Sequence, residues 1–134
     1  MANIENPGFY ACTFSIAGIT DLDILIRDMK EYLFGKAAVS KTIYRAFEDK
    51  EARKNGSPLQ RHEELSGPVY LAHGELDQRV HFEHHKKLTK KLKKNDAVDL
   101  MSYGFSGETH FFEIEENRMI MLSKLHESLD KALK

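Results

Sequence analysis

The run Pro68-Val-Tyr-Leu-Ala-His73, closed at once by Gly74, constrains this chain more than any other feature. It is short, apolar until its last residue, and bounded by a proline and a glycine. A run of that length suits a strand covered on both faces better than a buried helix. Two more strands are predicted. Residues 10–17 are apolar almost throughout and are broken by Gly18. Residues 98–103 alternate, with Val98 and Leu100 on one side and Met101 and Tyr103 on the other.

Amphipathic helices separate these runs. Thr20-x-x-Asp23 has the form of a capping box. Leu22, Leu25, Ile26, Met29, Tyr32 and Leu33 then recur at three-and-four spacing as far as Gly35. A second helix is predicted over 39–54, with Asn55-Gly-Ser-Pro58 as its stop. A third covers 82–95, with a thin stripe of Phe82, His85, Leu88 and Leu92 and a lysine-rich outer face. The last runs from about 113 to the end, striped by Met121, Leu122, Leu125, Leu129 and Leu133. The order β-α-α-β-α-β-α supplies a helical crossover for each parallel return. The predicted fold class is therefore α/β, a three-stranded, mainly parallel sheet with flanking helices.

Composition narrows the function. The 134 residues suit one domain, and 41% hydrophobic content is enough for a modest core. Twenty basic residues against twenty-one acidic ones exclude a strongly cationic nucleic-acid binder. No run approaches the ~20 apolar residues of a membrane span. Cys12 is the only cysteine, which excludes an internal disulfide framework and fits a cytoplasmic address. His81, His84 and His85 stand about one helical turn apart, but no cysteine joins them and a metal site is not expected. Lys86, Lys87, Lys90, Lys91, Lys93 and Lys94 read as a solvated face, since no aromatic platform interleaves them.

In open parallel sheets, reactive groups gather beyond the carboxyl ends of the strands. Asp77 follows one strand and His110 follows the next. A carboxylate and an imidazole on adjacent strand-end loops can meet by a hydrogen bond that fixes the ring's tautomer and stabilises its protonated form. On the residues alone, a turn aspartate and an exposed histidine is the competing reading.

The stretch 67–80, Gly-Pro-Val-Tyr-Leu-Ala-His-Gly-Glu-Leu-Asp-Gln-Arg-Val, resembles the strand and loop that carry the catalytic aspartate in the prolyl oligopeptidase family of serine peptidases. A His-Gly-x-x-Asp-x-x-Val pattern is common there, matched here by His73, Gly74, Asp77 and Val80. Ser57-Pro58 is similar to the family's lead-in to this strand. Tyr103 and the Gly-Glu-Thr-His run ending in His110 resemble the loop of the catalytic histidine. Asn6-Pro7, Phe9 and the run Ala17-Gly-Ile-Thr-Asp-Leu22 are similar to the strand and helix that follow the nucleophile's helix. The resemblance covers nearly the whole chain in order. It implies the C-terminal part of an α/β-hydrolase fold, with Asp77 as triad acid and His110 as general base, and with no cofactor or metal.

The chain departs from that pattern in three ways. It contains no Gly-x-Ser-x-Gly, and the nearest string, around Ser106, lacks the final glycine and lies after Asp77, whereas the fold's order is Ser, Asp, His. The oxyanion hole, built partly by the residue after that serine, is missing with it. Phe111 follows His110 where the family usually has glycine. Residues 1–134 therefore read as a single partial α/β-hydrolase domain lacking the nucleophile half. A peptide is the expected substrate of the complete domain, and this chain alone is expected to be inactive. The strand over 10–17 would keep a bare edge, so a homodimer through that edge, or through apolar faces left uncovered, is expected. The alternatives are a non-catalytic binding or assembly module with a degenerate hydrolase fold, and an esterase of the same fold.

Overall fold

A computed structural model describes residues 1–32 and 48–134. The elements in chain order are α1 (Ala2–Glu5), β1 (Thr13–Ile16), α2 (Leu22–Tyr32), α3 (Lys50–Asn55), a 3-10 turn (His62–Glu64), β2 (Gly67–Gly74), α4 (Glu83–Leu92), β3 (Val98–Phe105) and α5 (Glu115–Ala132). The three strands lie side by side in the order β1-β2-β3, and both pairings are parallel. Thr13 pairs in register with Val69, and Gly67 with Val98.

The alternation of β2 divides the core into two layers. Val69 and Leu71 face one way and meet Ile4, Ile24, Leu88 and Leu92, from α1, α2 and α4. Tyr70 and Ala72 face the other way and meet Phe105, Phe112 and Met121 under α5. Val98 and Leu100 pack in the first layer and Met101 and Tyr103 in the second, as their alternation predicts. Each large apolar side chain removed from water contributes about 1.5–3 kcal/mol, so β2, buried from Val69 to Gly74, is the spine of the molecule. The Tyr70 hydroxyl donates to the carbonyl of Met121 at 2.9 Å, which satisfies a polar group inside this layer.

Several local expectations are corrected. β1 has four residues, not eight; Tyr10, Ala11 and Cys12 precede it. Ala17, at φ 49°, turns the chain out of the strand. Asp21, not Thr20, caps α2, because its Oδ1 accepts the backbone N–H groups of Asp23 and Ile24 at 2.8 and 3.0 Å. Thr20 instead donates its backbone N–H to His84 Nδ1 at 3.2 Å and its hydroxyl to the carbonyl of His84 at 3.0 Å, which ties the entry of α2 to α4. The helix expected over 39–54 does not run unbroken to its end. Asp49 is extended and caps a fresh helix, accepting from Glu51 N–H at 2.8 Å. Gly35 and most of that predicted helix lie outside the described residues. On α5 the buried line is Met121 and Ser128, with Leu125 packed beside it, whereas Leu122 and Leu133 are exposed. Among the described residues no helix is long and apolar enough to cross a membrane.

Candidate functional site

The site grows from the carboxyl ends of β2 and β3. β2 stops at Gly74 and β3 at Phe105, which face each other in register. The loops that leave them are laced together. Glu75 N–H donates to the carbonyl of Phe105 at 3.0 Å, and Leu76 N–H to the carbonyl of Glu108 at 2.9 Å. The second loop lies directly over Gly74, where a Cβ would stand 2.5 Å from the Glu108 carbonyl oxygen. The bare glycine backbone is what allows this approach.

Asp77 sits three residues past β2 with its side chain fully buried. Its Oδ1 accepts the backbone N–H groups of Arg79 and Val80 at 2.8 and 2.9 Å. Its Oδ2 faces His110 Nδ1 at 2.8 Å. An ionised carboxylate only accepts, so the proton of this bond belongs to Nδ1, and the Nε2 of a neutral His110 is left with a free lone pair. Burial pushes the Asp77 carboxyl upward, but the bonds from Val80, His110 and Arg79 together outweigh it and hold the group below its usual range. The His110 side chain is 30% exposed, so one end of the pair is sealed and the other faces outward.

Sequence reasoning gave no role to three neighbours of this pair. His73, at the end of β2, is buried; its Nε2–H donates to the carbonyl of Val80 at 2.7 Å and stands 3.3 Å from Asp77 Oδ2. Glu108 is fully buried, with Oε1 accepting Ile114 N–H at 3.1 Å and Oε2 unpartnered among the described residues. Phe111 is 62% exposed, its ring edge-on to that of His110, with the Arg79 guanidinium 4.9 Å from its centroid. The aromatic pair His110-Phe111 was visible in the sequence; the packing of Arg79 on it was not.

The remaining candidates have structural partners. The histidines of α4 are not surface groups. His84 is buried against Thr20, and His85 is buried with Nε2 3.1 Å from the Ser102 hydroxyl. His81 instead pairs with Asp28 at 3.1 Å. Among the described residues no group of three or more metal-ligating side chains converges. Ser106 is exposed in the turn after β3, and its carbonyl accepts from Asn117. Ser57 is fully buried and works as a cap, accepting Leu22 N–H at 2.9 Å and donating to the carbonyl of Arg53 at 2.7 Å. Glu75 is exposed.

Asp77 and His110 thus stand together beyond the carboxyl rim of a parallel sheet. The sequence profile of the prolyl oligopeptidase family matches residues 1–134. The chain belongs to that family. Another sequence like this prolyl oligopeptidase family chain is a Bacillus subtilis (strain 168) protein described as an uncharacterized peptidase, YtmA. The two are 30% identical over 120 residues, which take in 88% of this chain and 45% of that one. The chain thus spans less than half the length of that curated relative. Among solved structures it matches puromycin hydrolase with a TM-score of 0.81 at 20% identity, over 98% of this chain and 20% of the other. It matches a Pyrococcus furiosus esterase with a TM-score of 0.64 at 17% identity, over 97% and 48% of the two chains. At such identities the likeness is one of fold, and that fold is the α/β-hydrolase.

Proposed function

We propose that this chain carries the acid and the base of a serine-hydrolase site, Asp77 and His110, and that the complete domain of which it is a partial copy is a serine peptidase. The observation that supports this most is the 2.8 Å contact between His110 Nδ1 and the buried Asp77 Oδ2. With its proton on Nδ1, His110 offers Nε2 as the basic atom. Nε2 takes the hydroxyl proton of a serine as that oxygen attacks the substrate's carbonyl carbon. Asp77 stabilises the imidazolium so formed. The imidazolium then gives its proton to the leaving nitrogen as the carbon–nitrogen bond breaks, which leaves an acyl ester on the serine. Water, deprotonated by the same Nε2, hydrolyses that ester.

The serine and its oxyanion donors come, on this reading, from a segment other than these 134 residues, since the sequence holds no Gly-x-Ser-x-Gly. The chain by itself is therefore inactive. Family membership supports peptides as the substrate class. In the isolated chain we also propose that two copies pair at β1, which among the described residues is, like β3, an edge strand with one neighbour.

The test has two arms. Purified chain and its His110→Ala variant are compared on proline-containing peptides and on short acyl esters; equal, background rates are expected, and a serine-dependent rate from the wild-type chain overturns the claim of inactivity. The domain completed with an upstream Gly-x-Ser-x-Gly segment is then assayed on the same substrates. Loss of its activity in His110→Ala is expected, and full activity in that variant overturns the role of His110. Preference for esters replaces the peptidase reading by an esterase one, and absence of any such upstream segment replaces it by a non-catalytic module.

A further inference from the structure

We propose that His73 is a positioning residue for the Asp77–His110 pair, a buried imidazole that fixes the Asp77 loop and leaves Oδ2 directed at His110. The proposal rests on the acid–base reading of that pair and extends it to a third side chain. Its basis is a chain of contacts through Val80. His73 Nε2–H donates to the carbonyl of Val80 at 2.7 Å, while the N–H of the same Val80 donates to Asp77 Oδ1 at 2.9 Å. Val80 is thereby held at both of its polar ends, and one end is the grip on the carboxylate. With Oδ1 occupied by Val80 and Arg79, only Oδ2 is left for His110.

The same His73 Nε2 stands 3.3 Å from Oδ2, so the carboxylate lies between two imidazoles. Only one of them can usefully take the catalytic proton. A charged His73 would draw Oδ2 to itself and compete with the imidazolium of His110. Its surroundings oppose that charge. The His73 side chain is 2% exposed against 30% for His110. Its ring packs against Phe82 and His85, with centroids 5.8 and 5.9 Å away. The titratable groups that act on it are Asp77 and His110 from the two loops and His84 and His85 from α4. Burial is the largest influence and holds His73 below its ordinary 6.5. A carbonyl acceptor on Nε2 also fixes the tautomer, since only a protonated Nε2 can serve it.

The experiment uses the 134-residue chain labelled with ¹⁵N-histidine and read by NMR, which needs no nucleophile. In the wild type at pH 6.5, His73 is expected as the neutral Nε2–H tautomer. A protonated His73 or an Nδ1–H tautomer overturns the proposal without recourse to any variant. The second readout is the far-downfield proton of the His110 Nδ1–H···Asp77 bond. Loss of that signal is expected in His73→Phe, which keeps the ring and removes the donor. Retention is expected in His73→Gln, whose amide N–H reaches about as far. An unchanged His110 signal in His73→Phe overturns the proposal. Asp77→Asn is the control: if it leaves the signal in place, the Asp77–His110 reading itself fails, and the result is told apart from a failure at His73.

Discussion

Gly74 and Glu108 meet backbone to backbone: the carbonyls of Glu108 and its neighbour Thr109 fill the space where a side chain on Gly74 would stand, the Glu108 oxygen 2.5 Å from an ideal Cβ. This contact closes the histidine loop over the end of β2 and carries His110 to Asp77. The glycine is needed for space and not for backbone freedom, since its φ is not in the left-handed region. Gly74→Ala is expected to force the two loops apart, at a cost of about 1–3 kcal/mol typical of overpacking. Urea unfolding checks the stability. Loss of the Asp77–His110 proton signal in the same variant checks the link to the site.

Asp77→Asn tests the carboxylate's chemistry with little change of shape. An amide can turn its NH₂ toward His110 Nδ1, which then carries the lone pair and leaves the proton on Nε2, the wrong atom for a base. In a completed, active domain the expected loss in kcat is about 10⁴-fold, as for the acid of a comparable triad. Steady-state kinetics on that domain read it. A loss confined to KM would assign Asp77 to substrate binding instead.

Three buried histidines set the acid stability. Burial lowers all of them, and it lowers His85 furthest, to about 4 from 6.5. The sign follows from proton uptake. Between these two values the unfolded chain binds a proton at His85 that the folded chain refuses, so acid favours unfolding. The stability is intact above pH 6.5 and falls as pH drops toward about 4, by about 3 kcal/mol from His85 alone. His73 and His84 act in the same direction. Asp77 adds to the loss only at lower pH, below its ordinary 3.8, where the unfolded carboxyl takes a proton that the folded one still refuses. Urea midpoints across this range are expected to fall steeply, and His85→Phe to flatten the slope. A midpoint independent of pH above about 4 would contradict the account.

The expectations that held and those that did not have distinct physical origins. β2 and β3 were legible because complete burial and strict alternation are written residue by residue, and Val98, Leu100, Met101 and Tyr103 fall on the predicted faces. α1 was missed because four residues carry no periodicity; Ile4 enters the core by tertiary contact alone. The leucine stripe of α5 is rotated from its expected line, because the helix seats on Tyr70 and Ala72 through Met121, and Ser128 is buried although its side chain is polar. Asp77 and His110 could be matched by their places after successive strands. His73 could not be given its contacts that way, because the Val80 carbonyl that orients it is brought there by the fold of the loop.

β1 is shorter than its sequence suggests but still open. Among the described residues it pairs with β2 on one side and with no strand on the other. Phe9, Tyr10, Ile16 and Ile19, in and around it, are all exposed large apolar groups. An unpaired strand beside uncovered apolar surface is a template for association, and the same edge on two copies allows a closed, two-fold pairing. Sedimentation of the isolated chain is expected to give a concentration-dependent dimer. Ile16→Lys is expected to shift it to monomer without unfolding it, since Ile16 is 42% exposed and a charge there stays in water. A wild-type chain that stays monomeric at high concentration removes this edge as a site of pairing. A dimer unaffected by Ile16→Lys moves the interface to another face, of which the exposed Met119, Ile120 and Leu122 on α5 are the next to probe.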